Sequence, residues 1–110
     1  HPSDGLLMFA GLYSWWADHS KSEDDPGFWN LTSTIVTTAA VPHLAHIHDR
    51  RPATLPPELW ADWMNPDILG DDTFIEYAMN ASAAVAEELN EYPTLPLKDD
   101  GLPAVPIPAE

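Results

Sequence analysis

Two runs of strand-forming residues on either side of a short acidic segment constrain the fold more than any other feature. The first run, residues 6–16, is apolar and aromatic and contains a single glycine, Gly11. The second, residues 28–38, alternates in polarity and is rich in Thr, Val and Ile. The polar segment 18–27 between them ends in a Pro26–Gly27 turn signal. We therefore expect an antiparallel hairpin whose first strand is buried on both faces, with Gly11 marking a bulge or a close backbone approach.

A helical turn, a short strand and two helices are predicted between residue 39 and about residue 90, and an extended tail after them. Residues 39–45 suit one helical turn and residues 52–55 a short strand. A first helix is expected over residues 56–64, because prolines are tolerated in an opening turn and the apolar side chains then share one side. These side chains are Leu59, Trp60, Trp63 and Met64. A second helix is expected from Asp71 to about residue 90, with one face formed by Phe74, Ala78, Ala81, Val85 and Leu89.

Length and charge limit the classes of function. At 110 residues the chain suits one small domain. Eighteen acidic and four basic residues give a net charge of −14, which repels a nucleic-acid backbone unless the few bases cluster. The absence of cysteine excludes disulfides and a thiol nucleophile within the chain. No stretch has the apolar length of a membrane span and no signal-peptide layout opens the chain, so we expect a cytoplasmic protein.

Residues 34–56 contain the candidate chemistry. Their imidazole and guanidinium side chains belong to His43, His46, His48, Arg50 and Arg51. His48 and Arg50 lie two residues apart, which suits proton transfer beside a bound phosphate or carboxylate. One alternative is that both side chains merely pair with nearby acids. A second alternative is a metal site formed by the three histidines with Asp49, although neighbouring positions alone do not supply that geometry.

The aromatic residues of the first run have two possible uses. Successive side chains of a strand point to opposite faces. We therefore expect Tyr13, Trp15 and Trp16 to be divided between the core and the surface. An exposed Trp15 beside Arg50 would give an unpaired base a surface on which to stack. A buried tryptophan would be a packing residue.

Four segments follow one another in an order and at distances that resemble a known family. They are Phe9–Trp15, Ser33–Thr38, Ile47–Pro52 and Leu55–Trp63. Together they are similar to the SOS response-associated peptidase family, sensors that crosslink to abasic sites in single-stranded DNA. The Ile-His-x-Arg-x-Pro pattern is the most specific part, and the resemblance covers about residues 7–64.

The resemblance implies an α+β fold, with a mixed, mostly antiparallel and partly barrel-like sheet flanked by two or three helices. It implies one partial domain over residues 1–110. Within it, residues 6–64 form the sheet and the active-site segment, residues 72–91 a helix, and residues 92–110 a proline-rich tail.

The resemblance also implies a chemistry. In the family, an N-terminal cysteine attacks the opened sugar aldehyde to form a thiazolidine, a histidine and an acidic residue assist, and peptidase activity is associated. His48 corresponds to that histidine, Arg50 to a contact with the DNA backbone, and Trp15 to the lining of the nucleotide channel. Thr37 is expected near the reacting sugar, and Arg51 is a further DNA-binding candidate. The implied partner is single-stranded DNA containing abasic sites, bound by a monomer without a cofactor or a metal.

The chain departs from the family pattern at several positions. Ser14 stands at the position of the family's catalytic glutamate, and a hydroxyl does not replace a carboxylate as an acid or base. Arg51 stands where the family usually has Met, and the segment with the nucleophilic cysteine has no counterpart. We therefore interpret the chain as the C-terminal part of such a protein, a fragment or a degenerate copy that is inactive alone. The rival hypothesis is a non-catalytic binding module that keeps the scaffold.

Overall fold

Three segments of the chain each form two consecutive strands in the computed structural model, which describes residues 1–108. The first forms β1 (Met8–Phe9) and β2 (Gly11–Ala17), and the second forms β3 (Trp29–Ile35) and β4 (Thr37–Ala39). The third forms β5 (Arg50–Pro52) and β6 (Thr54–Leu55). All pairings are antiparallel, and they join β1 to β6, β2 to β3 and β4 to β5. Each segment thus changes partner once, at a single residue between its two strands.

The three residues at which the partners change form a ring of backbone hydrogen bonds. The Ala10 N–H donates to the Ala53 carbonyl at 2.8 Å, and the Ala53 N–H donates to the Val36 carbonyl at 2.8 Å. The Val36 N–H closes the ring by donating to the Ala10 carbonyl at 2.9 Å. Ala10 is 1% exposed and Ala53 is fully buried, so only small side chains let the three backbones meet in the interior. We call this ring the strand junction.

Two helices cover one side of the strand junction. Helix α1 spans Pro57–Met64 and helix α2 spans Asp72–Glu88, and a short 3₁₀ helix occupies Pro42–Leu44. The core consists of Ala10, Ala53, Leu55, Leu59 and Ala78, against which Val36, Trp60, Trp63, Met79 and Ala81 pack. The indole N–H of Trp60 donates to the Leu55 carbonyl at 2.7 Å, and that of Trp63 donates to the Gly11 carbonyl at 2.9 Å. These bonds fix α1 against the strands.

The hairpin prediction is confirmed, and its predicted burial is wrong. β2 and β3 pair in register from Gly11 opposite Ile35 to Ala17 opposite Trp29. The aromatic side chains of β2 are nevertheless exposed, with Tyr13 at 77%, Trp15 at 59% and Trp16 at 55%. The reason is that this sheet has only two strands, so alternation distributes these residues between two open faces. The strand partner changes at Ala10. No close approach requires Gly11, since a Cβ there would lie 3.6 Å from the Thr34 carbonyl oxygen, which is an ordinary van der Waals distance.

The helix predictions are confirmed with corrected faces. The Asp71 side chain caps α2 by accepting the Phe74 N–H at 2.9 Å. Of the five predicted positions, Ala78 is fully buried and the other four are half-buried, so the predicted face does point inward. Ser82 and Ala86 complete the fully buried strip, and the sequence pattern did not include them. Met64 was expected on the buried side of α1 and is 71% exposed.

The α+β class is confirmed, but the sheets of residues 1–108 meet at the strand junction and do not close into a barrel. In the tail, Thr94 and Pro106 form an isolated antiparallel bridge, and residues 109–110 of the predicted tail lie outside the described part. Within residues 1–108 no helix has the length and apolar character needed to cross a membrane.

Candidate nucleic-acid interface

Strands β4 and β5 hold Arg50 beside Thr37. Their register sets Thr37 opposite Pro52 and Ala39 opposite Arg50, so these positions share one face of the pair. The Arg50 Nη2 donates to the Thr37 carbonyl at 2.9 Å and contacts the Thr37 Oγ1 at 3.2 Å. Within residues 1–108 no carboxylate lies within 4.0 Å of this guanidinium, although the chain is strongly acidic. Arg50 is thus held at one nitrogen, and its remaining donors are available to an anion.

His48 is exposed and anchored through one ring nitrogen. Its Nδ1 lies 3.0 Å from the Arg50 N–H and 3.0 Å from the Arg50 carbonyl oxygen. The Asp49 Oδ1 lies 3.2 Å from the same nitrogen, and the His48 side chain is 72% exposed. The role of Nδ1 depends on the tautomer, since an unprotonated Nδ1 accepts the Arg50 N–H and a protonated Nδ1 donates to one of these oxygens, so Nδ1 is engaged in either case. Nε2 is therefore the nitrogen available for proton exchange with a bound molecule.

Arg51 lies on the opposite face of β5 and contacts helix α2. Its register partner is Thr38, and its Nη1 donates to the Ser82 Oγ at 2.9 Å. Its Nε is buried without a hydrogen-bond partner, and burial lowers the pKa of the guanidinium. These contacts tie β5 to α2, and DNA binding by Arg51 stays a prediction. Sequence reasoning missed Ser82 because a polar residue does not count toward an apolar face, although it lies four residues from both Ala78 and Ala86.

Ser14 and Trp15 lie on opposite faces of the β2–β3 hairpin. Trp15 pairs with Leu31 and shares an open cleft of about 440 Å³ with Trp29, which sequence reasoning did not single out. Ser14 pairs with Thr32 and is exposed on the other face. The hairpin is a different sheet from the one that carries Arg50, so stacking of a base on Trp15 beside Arg50 stays a prediction.

The histidines of the segment have separate partners. The His43 Nε2 lies 3.0 Å from the Leu89 carbonyl oxygen, and the His46 Nε2 lies 3.4 Å from the Glu91 Oε1. No three His, Cys, Asp or Glu side chains in residues 1–108 are arranged to hold a metal ion. The geometry therefore gives the metal-site alternative no support.

The α+β fold holds an exposed imidazole against the Arg50 main chain and an Arg50 guanidinium that pairs with no carboxylate of residues 1–108, and these groups suit a protein that binds an anionic ligand. The family model of the SOS response associated peptidases matches residues 1–94. The chain belongs to this family. The match extends beyond residues 7–64, to which the sequence motifs had confined the resemblance, and includes α2.

Curated relatives match a shorter segment. The abasic site processing protein YoaM of Bacillus subtilis (strain 168) is 38% identical over 70 residues, which are 64% of this chain and 28% of YoaM. The abasic site processing proteins YoqW of Bacillus subtilis (strain 168) and of Bacillus phage SPbeta are each 39% identical over 64 residues, 58% of this chain and 26% of theirs. The matched segment thus spans about a quarter of the length of these relatives. No solved structure matches the chain.

Proposed function

We propose that this chain binds single-stranded DNA at abasic sites and belongs to the machinery that processes them. The observation that carries the proposal is the Arg50 guanidinium, which is exposed, fixed by Thr37 and unpaired with any carboxylate of residues 1–108. A phosphate is the natural partner of such a group, because guanidinium donors match phosphate oxygens bidentately. The relatives are named abasic site processing proteins, and this supports the abasic site as the substrate in the proposal.

Each candidate residue has a role in this proposal. Arg50 binds the phosphate next to the lesion, and Thr37 orients the guanidinium close to the sugar. His48 moves a proton through Nε2 while the sugar ring opens, because an imidazole can act as a general acid or base and this ring is exposed. Trp15 lines the nucleotide channel by stacking on a neighbouring base.

A covalent crosslink and the associated peptidase activity need a thiol that these 110 residues do not contain. In the full proposal the chain is one part of a single family domain. Its residues 6–64 bind the DNA, residues 72–91 support the strands, and residues 92–110 form a tail. The thiol is then contributed by residues other than these.

A second candidate function is favoured by Ser14. A hydroxyl at the position that the resemblance assigns to a catalytic glutamate cannot transfer protons near neutral pH. On that basis the chain would be a non-catalytic module that binds single strands whether or not they are damaged.

Fluorescence anisotropy with a labelled single-stranded oligonucleotide distinguishes these proposals. Tighter binding of a strand with one abasic site than of its intact counterpart supports the first, and equal binding supports the second. Arg50→Ala should weaken binding at every sequence and reduce the salt dependence by about one phosphate contact. Lys98→Ala is the matched control, because it removes the same charge from an exposed position in the tail. Failure to bind either strand rejects both proposals.

The proposed role of His48 has a separate readout. A hydroxylamine probe reacts with the open-chain aldehyde of an abasic site, so its rate reports ring opening. The chain should accelerate oxime formation, and His48→Asn should remove the acceleration without weakening DNA binding. An unchanged rate in His48→Asn would limit this residue to a binding role.

A further inference from the structure

Arg51 and Ser82 form a polar contact in an otherwise apolar part of the fold. Ser82 is fully buried on α2, midway between the fully buried Ala78 and Ala86. Its hydroxyl accepts a hydrogen bond from the Arg51 Nη1 at 2.9 Å, and within residues 1–108 no other hydrogen bond joins α2 to a strand. A hydroxyl buried among alanines costs stability unless it is bonded, so Ser82 depends on Arg51.

The Arg51 guanidinium also bonds to its own strand. The Nη1 donates to the Pro52 carbonyl at 3.4 Å, so a single nitrogen connects β5 with α2. The Nε is buried without a hydrogen-bond partner, and an incompletely bonded cation in the interior lowers the stability of a fold. A gain in stability therefore does not explain why a cation occupies this position.

Strand β5 has little else to hold its orientation. It contains three residues and, among residues 1–108, pairs with β4 alone. A two-stranded sheet is at best marginally stable by itself. The ladder fixes which residues lie opposite each other, but it leaves β5 free to rotate about its own axis. A side chain held by α2 on one face limits that rotation.

Rotation of β5 would displace the candidate DNA-binding groups. Neighbouring side chains of a strand point to opposite faces, so holding Arg51 against α2 directs Arg50 to the face that carries Thr37. The same strand places the Arg50 N–H and carbonyl oxygen, each of which lies 3.0 Å from the His48 Nδ1. The contact between Arg51 and Ser82 is thus connected to both groups through β5.

We propose that Arg51 and Ser82 are positioning residues of the DNA-binding site, which hold β5 so that Arg50 faces the phosphate and His48 faces the sugar. Arg51 then contributes to DNA binding through Arg50 and not by contact with the DNA. The ligand in this proposal rests on the proposed function, whereas the geometry rests on contacts between described residues. Because Ser82 is fully buried, its contact with Arg51 does not depend on what covers the exposed surfaces.

NMR of the free chain tests this geometry without DNA. Ser82 is far in sequence from both His48 and Arg50, so Ser82→Ala reaches them through Arg51 and β5. It should shift and broaden the signals of the His48 ring and of the Arg50 guanidinium, because β5 gains freedom to rotate. Asn80→Ala, at an exposed position of α2, is the matched control and should leave these signals unchanged. Unchanged signals in Ser82→Ala would overturn the proposal.

A cycle of variants tests the route by which Arg51 acts on DNA. Arg51→Met should weaken binding of an oligonucleotide with one abasic site about tenfold, the loss expected for one hydrogen bond to a charged group. In a chain that already carries Arg50→Ala it should cause no further loss, because Arg51 acts through Arg50. Methionine replaces an incompletely bonded cation, so the variant is expected to fold. Lys98→Met, in the exposed tail, is the control for the lost charge.

Two outcomes of the cycle would overturn the proposal. Equal losses with and without Arg50→Ala, each with the salt dependence reduced by about one phosphate contact, would assign Arg51 to direct contact with DNA. Unchanged binding in Arg51→Met would limit Arg51 and Ser82 to stabilising the fold. A parent chain that binds no DNA would reject the proposed function, and the NMR comparison would still decide whether Arg51 and Ser82 position Arg50 and His48.

Discussion

Replacing Ala53 by leucine should destabilise the fold more than the same replacement elsewhere. Ala53 is fully buried, and its N–H and C=O both belong to the strand junction, with 2.8 Å bonds to Val36 and Ala10. A leucine must push these backbones apart. Overpacking of this kind costs about 1–3 kcal/mol, and each weakened hydrogen bond adds about 1 kcal/mol. With both hydrogen bonds weakened we therefore expect a total loss of about 3–5 kcal/mol, or a midpoint lowered by roughly 4–8 °C for each kcal/mol.

Urea unfolding followed by tryptophan fluorescence measures this loss, because the chain contains five Trp residues. Ala61→Leu in α1 is the matched control, since Ala61 is exposed and both residues favour a helix. Its free energy of unfolding should stay within about 0.5 kcal/mol of the parent value. Equal losses in the two variants would mean that the strand junction does not constrain the fold, and the reasoning would fail.

Three further predictions concern single side chains. Arg51→Met should raise the free energy of unfolding by about 1 kcal/mol in thermal melts, because it removes a partly buried charge whose Nε has no hydrogen-bond partner. A lower free energy of unfolding would show that the hydrogen bond to Ser82 contributes more than the desolvation of the guanidinium costs. Hydrogen bonds from Ser20 and the charge of Lys21 lower the pKa of Asp18 in the folded protein. The Asp18 carboxylate therefore stabilises the fold at pH values above its unfolded pKa. This stabilisation is lost as the pH falls through the folded pKa. Ser20→Ala should move the carboxyl titration of Asp18 in NMR up towards 3.8, and an unmoved titration would exclude that hydrogen bond as the cause. Asp71→Ala should cost about 0.5–2 kcal/mol in urea unfolding through loss of the α2 cap, with Asp72→Ala as the less affected control.

The candidate site was predictable where it depends on neighbours in sequence. His48 and Arg50 are two residues apart, and a bend at Asp49 brings the imidazole to 3.0 Å from the Arg50 N–H. The Thr37 partner of Arg50 depends on the β4–β5 register, which pairs residues thirteen apart in sequence. Arg51 and Ser82, thirty-one residues apart, meet only because α2 packs on the strands.

The sequence by itself determined the elements whose causes are local. Alternating polarity and a turn signal produce the hairpin, and an aspartate at residue 71 begins α2. Tertiary structure alone decided burial and strand partners, because both depend on which distant segments meet. The aromatic run of β2 is exposed although its composition predicts a core strand. Ala10 and Ala53 lie at the centre of the fold, although nothing in the composition distinguishes them from the other alanines. Local propensity therefore decides which elements form, whereas packing between distant segments decides which faces they bury.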